Sequence, residues 1–272
     1  MSCRLLRESS SMFKKWISRL PGQINPADGN LLEELPHKVL VGSHHKTGTV
    51  WMRKVFSCVC EKLGLHFFAG NQEDLPRDFH VFMQNHSQFL PGNISGSVRG
   101  VHIIRDPRDR IISGMFYHQK SKESWLHKPM EMLGGAAYQE KINSFDTVEE
   151  QLMFEMEHSG RWGIEEMLRW DYSDERFMNV KYEDLIADHD LLLFHDIFTF
   201  LGFPGSAIPA CLDCAYRNSL FSGNIEKSVH VRSGKSSQWK RHFTPQHKQR
   251  FIELFGEALI TLGYEENNCW AE

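Results

Sequence analysis

The sequence predicts an α/β fold, a three-layer sandwich in which helices cover both faces of a central parallel sheet. Short apolar, β-branched runs alternate with helical patterns along most of the chain, which is typical of strand-helix-strand units. The chain has 272 residues, of which 41% are hydrophobic and 24% charged. A chain of this length buries a core without disulfides or a structural metal. We expect one α/β domain at 38–272, with a polar N-terminal extension at 1–37 packed on it.

Each element is predicted from its own local pattern. The apolar runs predict strands, and the stretches with helical spacing between them predict helices. In chain order these are strand 37–42, helix 49–63, strands 80–85 and 98–104, helix 107–119, strand 177–181 and helix 187–200. Ligands of parallel sheets bind at the carboxyl ends of the strands. Polar residues that directly follow a strand are therefore the candidate functional residues.

The segment 121–146 differs from its neighbours. It has no clear period and contains two consecutive glycines, Gly134 and Gly135. Long insertions after a strand-helix unit are commonly lids or substrate-binding loops. We predict that the segment 121–146 is a lid or substrate-binding loop, with a variable surface loop as the alternative.

Composition excludes several classes of function. The formal net charge is −4 and the pI about 6.4, which argues against nucleic acid or an anionic membrane surface as partner. No apolar run reaches the roughly 18 residues of a membrane span, and the N-terminus lacks the apolar core of a secretory signal. We therefore expect a cytoplasmic protein whose six cysteines are reduced. Cys211 and Cys214 have metal-ligand spacing, but no second ligand pair is evident, so we predict a packing role and no metal.

The loop Gly-Ser-His-His-Lys-Thr-Gly-Thr at 42–49 lies between the first strand and the first helix. Its small residues allow backbone N–H groups to converge on an anion, the helix N-terminus adds a partial positive charge, and Lys46 adds a full one. These features predict a phosphate-binding loop. Because Lys46 precedes Gly48 and no magnesium ligand is evident, a nucleotide kinase or other phosphoryl transferase is the less favoured alternative. A non-catalytic nucleotide-binding protein is the third hypothesis.

Four motifs occur in a characteristic order between His44 and about Thr244: HKTGTVW, RDPRDRIIS, YEDL and RSGKSSQWKRHFT. With them the chain resembles the sulfotransferases that use 3'-phosphoadenylyl sulfate (PAPS), whose fold is a P-loop-like nucleotide-binding fold. The resemblance implies transfer of the sulfuryl group by in-line displacement to a hydroxyl or amine of a small-molecule acceptor. Adenosine 3',5'-bisphosphate (PAP) would be released, and no metal would be required.

The resemblance also implies roles for individual residues. The 5'-phosphosulfate would be bound by Lys46 and the backbone of Thr47, Gly48, Thr49 and Val50, and Trp51 would stack on the adenine. The 3'-phosphate would be bound by Arg105, Ser113 and a C-terminal loop containing Arg232, Ser233 and Gly234. Tyr182 would lie near the adenine, and Ser219 is a weaker candidate for a nucleotide contact.

This sequence departs from the family pattern at two places. His44 and His45 stand where many members have an aromatic residue and a proline, and Ser237 stands where a glycine is usual. We therefore expect an altered phosphate loop and a less flexible C-terminal loop. Arg108 and Arg110 are expected to be either solvated helix charges or ligands.

The acceptor must lose a proton, so the family resemblance implies a base beside the sulfuryl group. We predict His86, because it follows a strand and precedes Arg105 by 19 residues. His80, His45 and a carboxylate are the alternatives. The acceptor class stays open among alcohols, phenols, sugars and amines, and a homodimer is compatible with the sequence. Aromatic residues that would line an acceptor pocket, or simply the core, are Phe79, Phe82, Phe89, Trp125 and Tyr138.

Overall fold

The structure is a computed structural model that describes residues 35–222 and 235–272. Five strands occur in these residues: β1 (Lys38–Gly42), β2 (Phe67–Ala69), β3 (Val81–Gln84), β4 (Val98–Ile104) and β5 (Phe177–Lys181). The helices before β5 are α1 (Thr49–Leu63), α2 (Pro107–His118), α3 (Tyr138–Asn143), α4 (Val148–Glu155) and α5 (Arg161–Arg169). Those after it are α6 (Tyr182–Ala187), α7 (Leu192–Phe200), α8 (Ile208–Asn218), α9 (Trp239–His242), α10 (Pro245–Phe255) and α11 (Ala258–Thr261). A π-helical turn, Met156–Gly160, links α4 to α5.

The five strands form one sheet in the order β2-β3-β1-β4-β5. β1 pairs in parallel with β3 on one side and with β4 on the other, so that Gly42 stands opposite both Gln84 and His102. β2 also pairs in parallel with β3. Val39, Leu40 and Val41 of β1 are fully buried, as expected for the central strand of a sheet covered on both faces. The structure confirms the predicted α/β fold with a parallel sheet.

Two details differ from the elements predicted by sequence. β2 is absent from the prediction, because a three-residue strand has too little pattern to be recognised and is defined by its pairing with β3. The helix predicted at 187–200 ends at Phe200 as expected, but its predicted start is wrong, since α6 ends at Ala187 and α7 begins at Leu192. The Asp188 carboxylate accepts the backbone N–H groups of Leu193 (3.1 Å) and Phe194 (3.0 Å), which caps α7 at this later start.

A disulfide joins Cys58 of α1 to Cys214 of α8, with 5.7 Å between the two Cα atoms. The expectation that all cysteines are reduced is therefore wrong for this pair. α1 packs on α8, which brings together two thiols that are 156 residues apart in the sequence. Cys211 is a buried free thiol, in agreement with the packing role predicted for it.

The chain divides into two compact units, which are described separately. Within the described residues, the first unit holds 35–43, 48–103 and 172–222, and the second holds 44–47, 104–171 and 235–272. The core of the first unit is the sheet packed with apolar side chains of α1, α7 and α8, including Val55, Phe56 and Phe198. In the second unit α2 packs on α4 and on the π-helical turn, with Ile111 and Leu152 fully buried.

The segment 121–146 belongs to the second unit. It contains α3 and two short 3-10 turns, Ser124–His127 and Glu131–Leu133, and it fully buries Leu126 and Tyr138. These side chains anchor part of the segment in the core of its unit, so its role as a lid stays a prediction. Most of the predicted N-terminal extension lies outside the described residues. Among the residues described, no helix combines the length and the apolar character that a membrane crossing demands.

Candidate active site

Thr47 forms hydrogen bonds with His44 that hold the loop after β1 in a tight turn. The Thr47 hydroxyl donates to the His44 carbonyl (2.9 Å) and accepts the His44 N–H (2.8 Å), and the Thr47 N–H donates to the same carbonyl (3.1 Å). The turn holds Lys46 at φ 68°, a left-handed conformation that costs a residue with a side chain roughly 1–2 kcal/mol. Thr47 therefore fixes a strained turn that carries the lysine.

Gly48 is the residue at which this loop becomes a helix. Its φ of 104° favours glycine, and a Cβ at this position would lie 3.1 Å from the ring of Tyr182. Gly48 is the N-cap of α1 and contributes no side-chain cap to the first N–H groups of the helix. Uncapped helical N–H groups and the helix dipole are what an anion binds. The first turn of α1 therefore has the character predicted for a phosphate-binding helix.

Lys46 is partly buried among groups of the second unit. Its Nζ lies 3.6 Å from the centroid of the Tyr117 ring, a cation–π contact. Burial lowers the pKa of Lys46 to about 8, and the nearby Arg105 acts in the same direction, whereas Glu123 and Glu155 act against it. An anion bound beside Lys46 would stabilise its charged form.

Arg105 directly follows β4 and is buried. One guanidinium nitrogen, Nη1, donates to the Lys46 carbonyl at 3.0 Å. Because β1 and β4 are paired in parallel, their carboxyl ends share one edge of the sheet, which explains why the Arg105 side chain reaches the Lys46 backbone. The assignment of Lys46 and Arg105 to two separate anion sites stays a prediction.

Arg108 and Arg110 of α2 are both buried, so the expectation of solvated helix charges is wrong. Arg108 binds the Asp106 carboxylate through two nitrogens (3.0 and 2.7 Å) and Glu265 through a third (2.6 Å), and its guanidinium stacks on Trp239. Arg110 donates to the carbonyl of Gly160 at 3.1 Å, and burial lowers the pKa of Arg110. These contacts give both arginines a structural role.

Of the other residues predicted to bind the nucleotide, Ser113 lies partly exposed on α2. Trp51 is buried and meets the ring edges of Tyr182 and Phe194, with centroids 6.2 and 5.8 Å away. These contacts account for Trp51 as a core residue, so its stacking on adenine stays a prediction. Ser219 is fully buried and its hydroxyl donates to the Tyr216 carbonyl (2.7 Å) at the end of α8, which gives it a local structural role.

The predicted base His86 is exposed and lies just beyond the carboxyl end of β3. The next residue, Ser87, donates its hydroxyl to the Ser43 carbonyl at 3.0 Å, so the loops that follow β3 and β1 are in contact. His80 precedes β3 and lies at the opposite end of that strand. Burial, together with Lys38, lowers the pKa of His80. Position on the sheet therefore favours His86 over His80.

Arg232, Ser233 and Gly234 lie outside the described residues. The segment that follows them is anchored on α2, because the Trp239 N–H donates to the buried Asp109 carboxylate at 3.0 Å. Sequence reasoning did not identify Tyr117 as the neighbour of Lys46, or Glu166, whose carboxylate lies 3.4 Å from the Nδ1 of His44. Neither residue belongs to a motif, and only the fold brings them to this loop.

A parallel sheet whose first strand leads into a lysine-bearing turn and a helix with glycine at its N-cap defines an α/β protein with the architecture predicted for phosphate binding. The model of the sulfotransferase domain family matches residues 76–263, more than half of the chain. The chain belongs to the sulfotransferase domain family, which confirms the predicted enzyme class. Since this match begins after Lys46, the assignment of the phosphate loop depends on the residues described above.

Individual relatives are distant. Human sulfotransferase 2A1 is 23% identical over 266 residues, which cover 84% of this chain and 86% of that protein. Mouse sulfotransferase SULT7A1, solved in complex with PAP, is 16% identical with a TM-score of 0.49 and covers 88% of this chain and 94% of its own. Retinol dehydratase, solved with retinol and PAP, is 14% identical with a TM-score of 0.49, covering 85% of this chain and 84% of its own.

Proposed function

We propose that this sulfotransferase transfers the sulfuryl group of PAPS to a hydroxyl or amine of a small-molecule acceptor and releases PAP. The observation that supports this most is the position of Lys46 and Arg105 after the carboxyl ends of β1 and β4, where the Arg105 guanidinium donates to the Lys46 carbonyl. A mildly acidic protein with a formal charge of −4 thereby gains local positive charge at this edge of the sheet for the two anionic groups of PAPS. Family membership favours this reaction over the kinase alternative.

In this proposal the bond between the sulfur and the 5'-phosphate oxygen breaks as the acceptor oxygen or nitrogen bonds to sulfur. Negative charge then grows on the leaving phosphate, where Lys46 and the N–H groups of Gly48 and Val50 stabilise it. The Thr47 N–H, which the sequence also assigned to this group, instead donates to the His44 carbonyl. Positioning and charge stabilisation dominate in loose displacements of this kind. Arg105 and Ser113 bind the 3'-phosphate in this assignment, together with Arg232, Ser233 and Gly234.

The acceptor proton goes to His86 in this proposal, since His86 follows the carboxyl end of β3. We expect His86→Ala to lower kcat by about 10²- to 10⁴-fold, the usual contribution of a general base. His80→Ala, which changes a histidine at the other end of the same strand, should lower kcat less than threefold. Equal losses in both variants would remove the assignment of His86.

The acceptor is proposed to be a small molecule with an alcohol, phenol, sugar or amine group. Phe79, Phe82 and Tyr138 are buried in the core, which leaves Phe89 and Trp125 as the partly exposed aromatic candidates for contact with it. A homodimer and a cytoplasmic location also stay predictions. The Cys58–Cys214 disulfide argues against a cytoplasmic location, because cytosolic thiols are normally kept reduced.

The co-substrate is tested by thermal denaturation in the presence of nucleotides. PAP should raise the Tm in a concentration-dependent manner, because a ligand that binds only the folded state stabilises it. ATP with magnesium at the same concentration should have a much smaller effect. Stabilisation by ATP with magnesium but not by PAP would overturn the proposal. If PAP does stabilise the protein, labelled PAPS offered with a panel of alcohols, phenols, sugars and amines identifies the acceptor class.

A further inference from the structure

A cluster of two imidazoles and a carboxylate lies in the second unit, beside the phosphate loop. The ligand atoms of His45, His118 and Glu123 all lie within 4.8 Å of one another. The two imidazoles approach each other with their Nε2 atoms, and 3.3 Å separates the Nε2 of His45 from the Nε2 of His118. That separation suits a hydrogen bond, and it also suits two nitrogens on a common ion, since nitrogen ligands stand about 2.0–2.1 Å from zinc.

The second nitrogen of His118 is held by a buried carboxylate. Nδ1 of His118 lies 2.9 Å from Oε2 of Glu155, and both side chains are fully buried. When Nδ1–H donates to a carboxylate, the neutral ring presents the lone pair of Nε2 toward His45. Metal-ligating histidines are characteristically held in this way, by a carboxylate on the nitrogen that does not bind the metal.

Glu155 is fixed in place by further contacts. The Tyr138 hydroxyl donates to Oε2 at 2.9 Å. The other oxygen, Oε1, is buried without a hydrogen-bond partner among the described residues. A buried carboxylate in this state is costly unless positive charge is near. Arg110 and Lys46 already interact electrostatically with this carboxylate, and a cation bound by His118 would lie close to the same negative charge.

The third group, Glu123, is oriented as firmly. Its Oε1 accepts the Tyr117 hydroxyl at 3.0 Å and its Oε2 accepts the indole N–H of Trp125 at 2.8 Å. A carboxylate oxygen offers two lone pairs, so both oxygens retain acceptor capacity after these bonds. Hydrogen bonds from outside the coordination sphere commonly position carboxylate ligands of metals.

From this geometry we propose that His45, His118 and Glu123 bind a divalent transition-metal ion of the zinc class, with Glu155 as the outer partner of His118. Two nitrogens and one carboxylate are a donor set that zinc accepts, and three protein ligands leave a position for water or an anionic oxygen. Glu123 and Glu155 supply negative charge next to a bound dication, and both also interact with Lys46. Lys46 is adjacent to His45 in the chain, and its positive charge repels a bound metal ion. We therefore expect a moderate affinity for the metal.

The site is tested with Co²⁺ and Zn²⁺ on the full-length protein. Co²⁺ should give a visible absorption band at one equivalent, and Zn²⁺ should displace it. Glu123→Gln and His45→Gln change partly exposed side chains, and each should weaken Zn²⁺ binding by at least tenfold in a calorimetric titration. Glu155→Gln should weaken it by about 10- to 100-fold, the usual effect of an outer-sphere partner.

Two controls make the result decisive. His195→Ala removes an exposed histidine that pairs with Asp196, and it should leave the Co²⁺ band unchanged. Circular dichroism and the PAP-induced rise in Tm, measured without metal, report whether each variant is folded. Wild-type protein that shows no band, or variants that bind Zn²⁺ as the wild type does, would overturn the metal site. PAP binding by a protein that does not bind metal would leave the proposed function standing, so the two proposals fail separately.

Discussion

Lys46 combines a partly buried side chain with a strained backbone, and both features have a cost in free energy. The residue has φ 68°, and burial lowers the pKa of Lys46 to about 8. Thr47 maintains the turn through its bonds to His44. Positions that hold strain and a desolvated charge are typical of functional sites, where a ligand supplies the compensating interaction.

Replacement of Lys46 by alanine should therefore affect catalysis more than folding. We expect kcat to fall by about 10²- to 10³-fold, because one preorganised donor to the leaving group is lost. Lys46→Arg should recover part of this loss, since it retains a cation. Lys54→Ala, at an exposed lysine of α1, is the matched control and should keep wild-type kcat. A Lys46→Ala enzyme with full activity would contradict the assigned role.

Asp109 gives a prediction for the pH dependence of stability. Burial raises the pKa of Asp109, although its carboxylate accepts the Trp239 N–H. A carboxyl group whose pKa is higher in the folded state binds protons preferentially there. Its contribution to stability is therefore complete below the unfolded pKa of about 3.9 and is lost as the pH rises through the folded pKa.

Asp109→Asn keeps an oxygen acceptor for Trp239 but does not titrate. The free energy of unfolding of the wild type should therefore increase relative to that of the variant as the pH is lowered from 7 to about 4. Urea denaturation of both proteins across this range measures the difference. A wild type that loses stability relative to Asp109→Asn as the pH falls would contradict the raised pKa.

The π-helical turn Met156–Gly160 links α4 to α5 and interacts with α2. Widened turns of this kind are frequent at functional sites and interrupt the regular helical bonding. Here the carbonyls of Ser159 and Gly160 accept the buried Arg110 guanidinium, at 3.4 and 3.1 Å. The π-helical turn thus provides acceptors for a charge that α2 carries into the core.

Gly163, one turn further along, leaves the space that Arg110 occupies. A Cβ at Gly163 would lie 1.7 Å from Nη2 of Arg110, and burial prevents the guanidinium from moving into solvent. Gly163→Ala should therefore lower the free energy of unfolding by about 1–3 kcal/mol or more. Gly205→Ala adds the same methyl group where no atom lies within 4 Å, and it should cause little change. Equal urea midpoints for the two variants would contradict this packing.

Across the whole molecule, the sequence predicted the central strands most accurately. β4 and β5 have their predicted bounds, because each run that contains apolar residues is flanked on both sides by polar and turn-forming residues. The contact of Arg105 with the Lys46 carbonyl was not predicted, because the sequence analysis assigned the two residues to different phosphate groups; pairing of β1 with β4 brings them together.

Other features could not be predicted, because they depend on contacts between distant parts of the chain. Glu155 meets His118 across 37 residues, and neither side chain belongs to a motif. The burial of Arg108 depends on Glu265 and Trp239, which no local pattern connects with α2. The Cys58–Cys214 pair is likewise a product of helix packing.

The disulfide supplies a prediction for the stability of the whole chain. Cys58→Ser should lower the free energy of unfolding by about 2–4 kcal/mol, because the unfolded chain loses a cross-link. A reductant should lower the Tm of the wild type similarly and leave that of Cys58→Ser unchanged. Cys269→Ser removes an exposed free thiol and should have wild-type stability. A reductant that has no effect on the wild-type Tm would contradict the cross-link.

The same bond makes a closed covalent ring of everything between Cys58 and Cys214, including the whole of 104–171. A protease that cuts once inside this ring, for example beside the exposed Lys122, opens the ring without releasing either fragment. The nicked protein would migrate as one species on a non-reducing gel and as two after reduction. Cleavage within the ring would therefore leave both fragments covalently joined until a reductant separates them.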